Sequence, residues 1–166
     1  MRQMKVALIT LMFCLCIENS SAVEFEKMGQ AIAKTLGTTK AFKGTVEVQG
    51  EAATVYYSKD GSGQPKKIAI VQKGIYEPNC SHTWVVGLDA KSVKVEGIRV
   101  VEMSCPHAFP TKKSSFLSQY VGRGPASVKK LSGEVHTVAK ATGSSELTTT
   151  AVTKAILAAK QFAKGF

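Results

Sequence analysis

The chain predicts a single α+β domain, with an antiparallel sheet packed by helices and a C-terminal amphipathic helix. Three observations carry that expectation. Short runs rich in Val, Ile and Tyr follow one another with polar turns between them, the pattern of strands joined by hairpins. Near the C-terminus, Val152, Ala155, Ile156, Ala159 and Phe162 fall at helical spacing and make one apolar face. No internal repeat or long low-complexity linker divides the chain, and once a leader is set aside about 144 residues remain, enough for one sizeable core.

Taken in order, residues 23–36 predict a helix: Phe25, Met28, Ile32 and Leu36 share a face and Gly37 ends it. Residues 42–49 and 53–58 predict strands, the first from Val46 and Val48 alternating with Thr45 and Glu47. Gly61 to Pro65 is a turn and residues 67–72 a third strand. Residues 83–88 and 93–103 are the clearest strands, and Asp89-Ala90-Lys91-Ser92 between them predicts a hairpin. A polar loop over 104–114 precedes a short helix over 115–121, stopped by Gly122-Arg123-Gly124-Pro125. Residues 128–138 read as a short strand. The final helix follows, with Lys160 and Lys164 favouring its C-terminal end through the helix dipole.

The first 22 residues have the form of a signal peptide. Arg2 and Lys5 are followed by an apolar run over 6–17 and by Ser20-Ser21-Ala22, a small-residue cleavage site before Val23. That run is too short to span a bilayer comfortably, and the mature chain, 23–166, has no second apolar stretch that would anchor it. The expectation is export to a periplasmic or extracellular location. Removing Arg2, Lys5 and Glu18 takes the formal charge from +10 to +9. The lysines come in scattered pairs, Lys66-Lys67, Lys112-Lys113 and Lys129-Lys130, which read either as ordinary solvated surface or as a docking face for an acidic partner or an anionic membrane. Export and the lack of a recognition motif argue against nucleic acid. No Ser/His/Asp or paired-carboxylate arrangement points to hydrolysis, and no Cys-x-x-Cys-His points to covalent haem.

Residues 142–152, Thr-Gly-Ser-Ser-Glu-Leu-Thr-Thr-Thr-Ala-Val, run straight into the final helix. A turn glycine, clustered hydroxyls and a helix N-terminus suit an anion, because unpaired backbone N–H groups and the positive dipole end converge there. A simple N-cap is the alternative, although six hydroxyls within nine residues exceed what capping needs.

This stretch resembles the hydroxyl-rich Ser/Thr-Gly-Ala-Thr signature of the FMN-binding domain family, and two earlier segments match in order. Val85-Val86-Gly87-Leu88-Asp89 with Gly97-Ile98-Arg99-Val100 is similar to the family's central hairpin. Residues 116–123, Phe-Leu-Ser-Gln-Tyr-Val-Gly-Arg, are similar to its Phe-x-x-Gln-Phe-x-Gly-Lys segment. The resemblance covers residues 72–162. It implies electron transfer by FMN held through its phosphate on a hydroxyl, installed by a separate flavin transferase; for such a carrier the charge of +9 suggests an acidic redox partner such as an exported cytochrome. Thr142, Gly143, Ser144, Ser145, Thr148 and Thr149 become the phosphate-binding residues. Counting forward from Gly143 puts the acceptor on Ser145; counting back from Val152 puts it on Glu146, which has no hydroxyl, so the resemblance implies Ser145. Phe109 is the expected contact of the flavin ring, while Trp84 sits on a core strand where packing suffices.

The cysteines beyond the leader form Cys80-Ser81-His82 and Cys105-Pro106-His107. If residues pair across the hairpin with numbers summing near 185, Cys80 and Cys105 lie opposite each other and a disulfide can close the hairpin. In extended backbone each Cys-x-His also sets both side chains on one face, so a tetrahedral S₂N₂ site for zinc or copper remains open, as do free thiols.

Overall fold

The computed structural model describes residues 25–166; the expected signal peptide over 1–22 lies outside them. The fold is α+β. Five strands, β1 (Phe42–Val48), β2 (Glu51–Lys59), β3 (Pro65–Tyr76), β4 (Cys80–Asp89) and β5 (Val95–Met103), form one antiparallel sheet in the order β1-β2-β3-β4-β5. Each strand pairs with its neighbour in sequence. Helix α1 (Met28–Leu36) covers one face and α4 (Thr142–Ala163) the other.

Between β5 and α4 the chain makes short helical pieces: a 3-10 segment at Pro106–Lys112, α2 (Ser114–Leu117), 3-10 segments at Ser118–Tyr120 and Pro125–Lys130, and α3 (Leu131–Glu134). The polar loop expected over 104–114 is therefore mostly 3-10 helix. The strand expected over 128–138 is not formed. Pro125 sits in the first turn of its segment, where its missing N–H costs nothing, and the Gly124 N–H donates to Ser127 Oγ at 3.0 Å. Leu131 and Val135 then reach the core four residues apart, with Val128 packed beside them. That is helical spacing, not the alternation of a strand.

Helix α1 begins at Met28, five residues later than expected, after an extended Lys27. Gly37 ends it in the left-handed conformation, as the sequence predicts. The β1–β2 turn is Gln49-Gly50, both at positive φ (54° and 81°), the geometry of a tight hairpin. In the β4–β5 turn, the Asp89 carboxylate accepts from the backbone N–H and hydroxyl of Ser92 at 2.7 and 2.6 Å, and Val93 follows at φ 54°. The turn thus runs on to Lys94, and β5 starts at Val95, not Val93.

Strand β4 is buried along nearly its whole length. Trp84, Val86 and Leu88 face α4 and pack with Val152, Ala155, Ile156, Ala159 and Phe162. Val85 faces α1 and packs with Ala31, Ile32 and Leu36. Gly87 lies between: a Cβ there would sit 2.5 Å from Thr35 Cγ2, so its absence lets α1 settle on the sheet. Register shifts at Thr83/Trp84 and Gly87/Leu88 break the simple alternation in β5.

Leu131 is fully buried, so Leu131→Ala should lower unfolding free energy by roughly 2–5 kcal/mol. Urea unfolding of wild type and variant checks this; a loss well under 1 kcal/mol would mean that α3 is not part of the core.

Candidate functional site

The hydroxyl-rich stretch is itself helix. α4 starts at Thr142, ten residues before Val152, and Gly143 is a helical residue, not a turn glycine. The reason for glycine here is close approach. A Cβ at Gly143 would lie 2.1 Å from Cε2 of Tyr76, whose half-exposed ring covers the first turn of the helix. Nothing in the sequence marked Tyr76 for this role.

The hydroxyls turn inward. Ser144, Ser145, Thr148 and Thr149 are all buried, Ser145 completely. Ser145 Oγ donates to the Ala141 carbonyl at 2.9 Å and accepts the Val138 N–H at 3.0 Å. Thr148 and Thr149 donate to the carbonyls of Ser144 and Ser145 four residues back, at 2.8 and 3.0 Å. The Tyr120 hydroxyl then donates to Thr149 Oγ1 at 2.8 Å, because the Thr149 proton is already used. Burial pushes the Tyr120 phenol up to about 12. This bond joins the 116–123 segment to the 142–152 stretch.

The chemistry of this cluster fits a phosphate: hydroxyls gather around the first turn of a long helix, where backbone N–H groups lack intrahelical partners. The placement of Ser145 does not. An ester on its oxygen would remove the bond to Ala141 and would need room now taken by Val138 and Ala141, which both bond it. None of the three main cavities among the described residues is lined by any residue of 142–149. Phe109 is half-buried with its ring edge-on to Phe25, centroids 5.9 Å apart, and the Lys112 amine lies over both rings at 5.1 and 5.2 Å.

The second cluster closes the open end of the β4–β5 hairpin. Cys80 and Cys105 form a disulfide with Cα atoms 5.4 Å apart. His82 pairs with Met103 and Thr83 with Glu102, so this end follows the register that sets Cys80 opposite Cys105. His107 Nε2 lies 3.8 Å from Cys80 Sγ, and the ligand atoms of Cys80, Cys105 and His107 fall within 4.8 Å of one another. His82 does not join them. Its Nδ1 lies 3.0 Å from the Cys80 carbonyl, its ring stacks on Trp84 with centroids 5.3 Å apart, and its Nε2 is buried without a partner. Trp84 Nε1 is likewise unpartnered.

No family model, curated protein or solved structure matches this chain. The fold and clusters define an α+β domain with a disulfide-closed hairpin at one end of its sheet and a hydroxyl-rich helix whose first turns lie over β3.

A carbonyl only accepts, so Nδ1 of neutral His82 carries the proton and Nε2 is bare. Burial lowers the His82 pKa below its ordinary 6.5, and the charge of His107 lowers it further. The unfolded chain then binds the extra proton first, so His82 should make stability fall as pH drops from 6.5 toward its folded pKa. Carboxylates whose pKa is lowered by hydrogen bonds or ion pairs act nearer pH 4, below that window. Unfolding midpoints measured at pH 7.5 and pH 5.5 should therefore differ more in wild type than in His82→Gln; an equal difference would remove His82 as the cause.

Proposed function

We propose that this chain is an exported FMN-carrying electron-transfer protein. The observation that carries the proposal is the order and meeting of its three FMN-domain-like segments: β4 of the hairpin gives Trp84, Val86 and Leu88 to the core that α4 covers, and Tyr120 of the 116–123 segment bonds Thr149 of the 142–152 stretch. Beneath the same helix lie two buried nitrogens without partners, on His82 and Trp84, so the region carries polar capacity that an ordinary apolar core lacks. The disulfide suits an oxidising compartment, and among the described residues no helix is long and apolar enough to cross a membrane.

Bound FMN supplies the redox chemistry. The chain's own part is to hold it. The first turn of α4 would offer the FMN phosphate the backbone N–H groups of Thr142, Gly143 and Ser144 and the positive end of the helix dipole. Ser145 would be the acceptor that the resemblance implies, although its hydroxyl is bonded here to the Val138 N–H and the Ala141 carbonyl. Coexpression with a flavin transferase in an exporting host, followed by denaturation and mass measurement, tests this. Wild type should retain one covalent flavin, as should Ser144→Ala and Thr148→Ala, while Ser145→Ala should lose it. Flavin absent from the wild type, both covalently and after reconstitution, would leave a non-enzymatic module that keeps the fold without cofactor.

The surplus of positive charge fits an acidic redox partner met in short encounters, since opposite charge raises association rates and salt screens it. Lys112 and Lys113 are the best-placed pair, because Lys112 already lies over Phe109, the expected ring contact. Electron transfer to an exported acidic cytochrome should slow as ionic strength rises. Lys112→Glu with Lys113→Glu should slow it further at low salt. Rates indifferent to both changes would return these lysines to simple solvation.

A further inference from the structure

The hairpin's closed end offers chemistry that the flavin reading does not use. We propose that Cys80–Cys105 is a redox-active disulfide that exchanges with an external dithiol, attacked at Cys105, with Cys80 as the leaving sulfur and His107 as its proton donor.

The two sulfurs differ in access. Cys80 is buried on β4, whereas Cys105 is partly exposed at the start of the 3-10 segment. An incoming thiolate therefore reaches Cys105. Its attack forms a mixed disulfide on Cys105 Sγ and breaks the Cys80–Cys105 bond, and the electron pair leaves on Cys80 Sγ. His107 Nε2 stands 3.8 Å from that sulfur, close enough to hydrogen-bond the nascent thiolate and hand it a proton. The His107 ring is exposed, so solvent can restore the proton. The partner's second thiol then attacks its own sulfur in the mixed disulfide and releases Cys105. The sum is balanced: the partner dithiol becomes a disulfide, and Cys80 and Cys105 gain two electrons and two protons.

The scaffold holds the pair together without the bond between them. The Ser81 N–H donates to Ser104 Oγ at 2.8 Å, the Ser104 N–H to the Ser81 carbonyl at 3.0 Å, and Ser104 Oγ to the Asn79 carbonyl at 3.1 Å. These three bonds join the segments carrying the two cysteines, so the reduced thiols stay side by side and the reaction can run in reverse. His107 moves with Cys105 because the Ala108 N–H donates to the Cys105 carbonyl at 3.0 Å. This inference does not depend on a bound flavin.

The test uses the oxidised full-length mature chain with glutathione as the monothiol probe and dithiothreitol as the dithiol. Acid quenching, alkylation and peptide mapping should find glutathione on Cys105 and the alkylating label on Cys80. Dithiothreitol should reduce the pair under native conditions while circular dichroism stays that of the folded protein. His107→Gln, a change at an exposed position, should slow that reduction about tenfold, the effect of losing one hydrogen bond to a charged leaving group. Glutathione on Cys80, a disulfide that reduces only in denaturant, or an unchanged rate in His107→Gln would each overturn the proposal. So would a reduced protein that holds one zinc ion with both thiols shielded from alkylation, which would make the cluster a metal site.

Discussion

Strand β4 has helix on both sides, and that double burial governs the arrangement of the rest. A strand covered on one face alternates apolar and polar residues; Thr83 to Leu88 instead read as a nearly unbroken buried run. Trp84, Val86 and Leu88 require the apolar stripe of α4, and Val85 requires the smaller face of α1. The second contact depends on Gly87, which leaves room for Thr35. Because β4 also carries Cys80 and His82 at its start, the same strand that anchors the core delivers the disulfide and the buried imidazole to one end of the sheet.

The N-terminal half of α4 is unusual in what it buries. Its lower half is a plain apolar stripe, but Ser144, Ser145, Thr148 and Thr149 bring four hydroxyls under the helix. The bonds of Ser145, Thr148 and Thr149 to carbonyls four residues back keep buried oxygens satisfied. Tyr120 adds one more link to the chain of donors. A hydrogen-bonded layer of this kind holds its shape only while every member keeps its partner. Access to Ser145 is therefore a property of the 138–141 segment as much as of the helix.

Much of the fold was legible because its signals are local. Hairpin turns, strand periodicity and the face from Val152 to Phe162 each lie within a short window, and the pairing of Cys80 with Cys105 follows from hairpin register. What was missed depends on contacts distant in sequence. β3 extends to Tyr76 through Lys73 and Gly74 because it pairs with β4 throughout, although these residues look like the end of a strand. The helical start of α4 was in fact written in the sequence: Ser144 with Thr148, and Ser145 with Thr149, stand four apart, the spacing of back-bonded hydroxyls inside a helix. Gly143 outweighed that signal because glycine before a helix suggests a turn. The approach of Tyr76 that explains it spans the whole hairpin region. The covering of Ser145 by Val138 likewise left no trace in composition.

The sheet is a pure meander, so each new strand closes only a short loop onto the one before it, and pairing can proceed in the order the chain emerges. The helix that covers its larger apolar face comes last. Until α4 arrives, Trp84, Val86, Leu88 and their neighbours on β2 and β3 present an open hydrophobic wall. Assembly is thus front-loaded in hydrogen bonds and back-loaded in burial. The interval between the two is when the chain is most exposed to sticking to other molecules, and its length is set by how soon α4 follows the sheet.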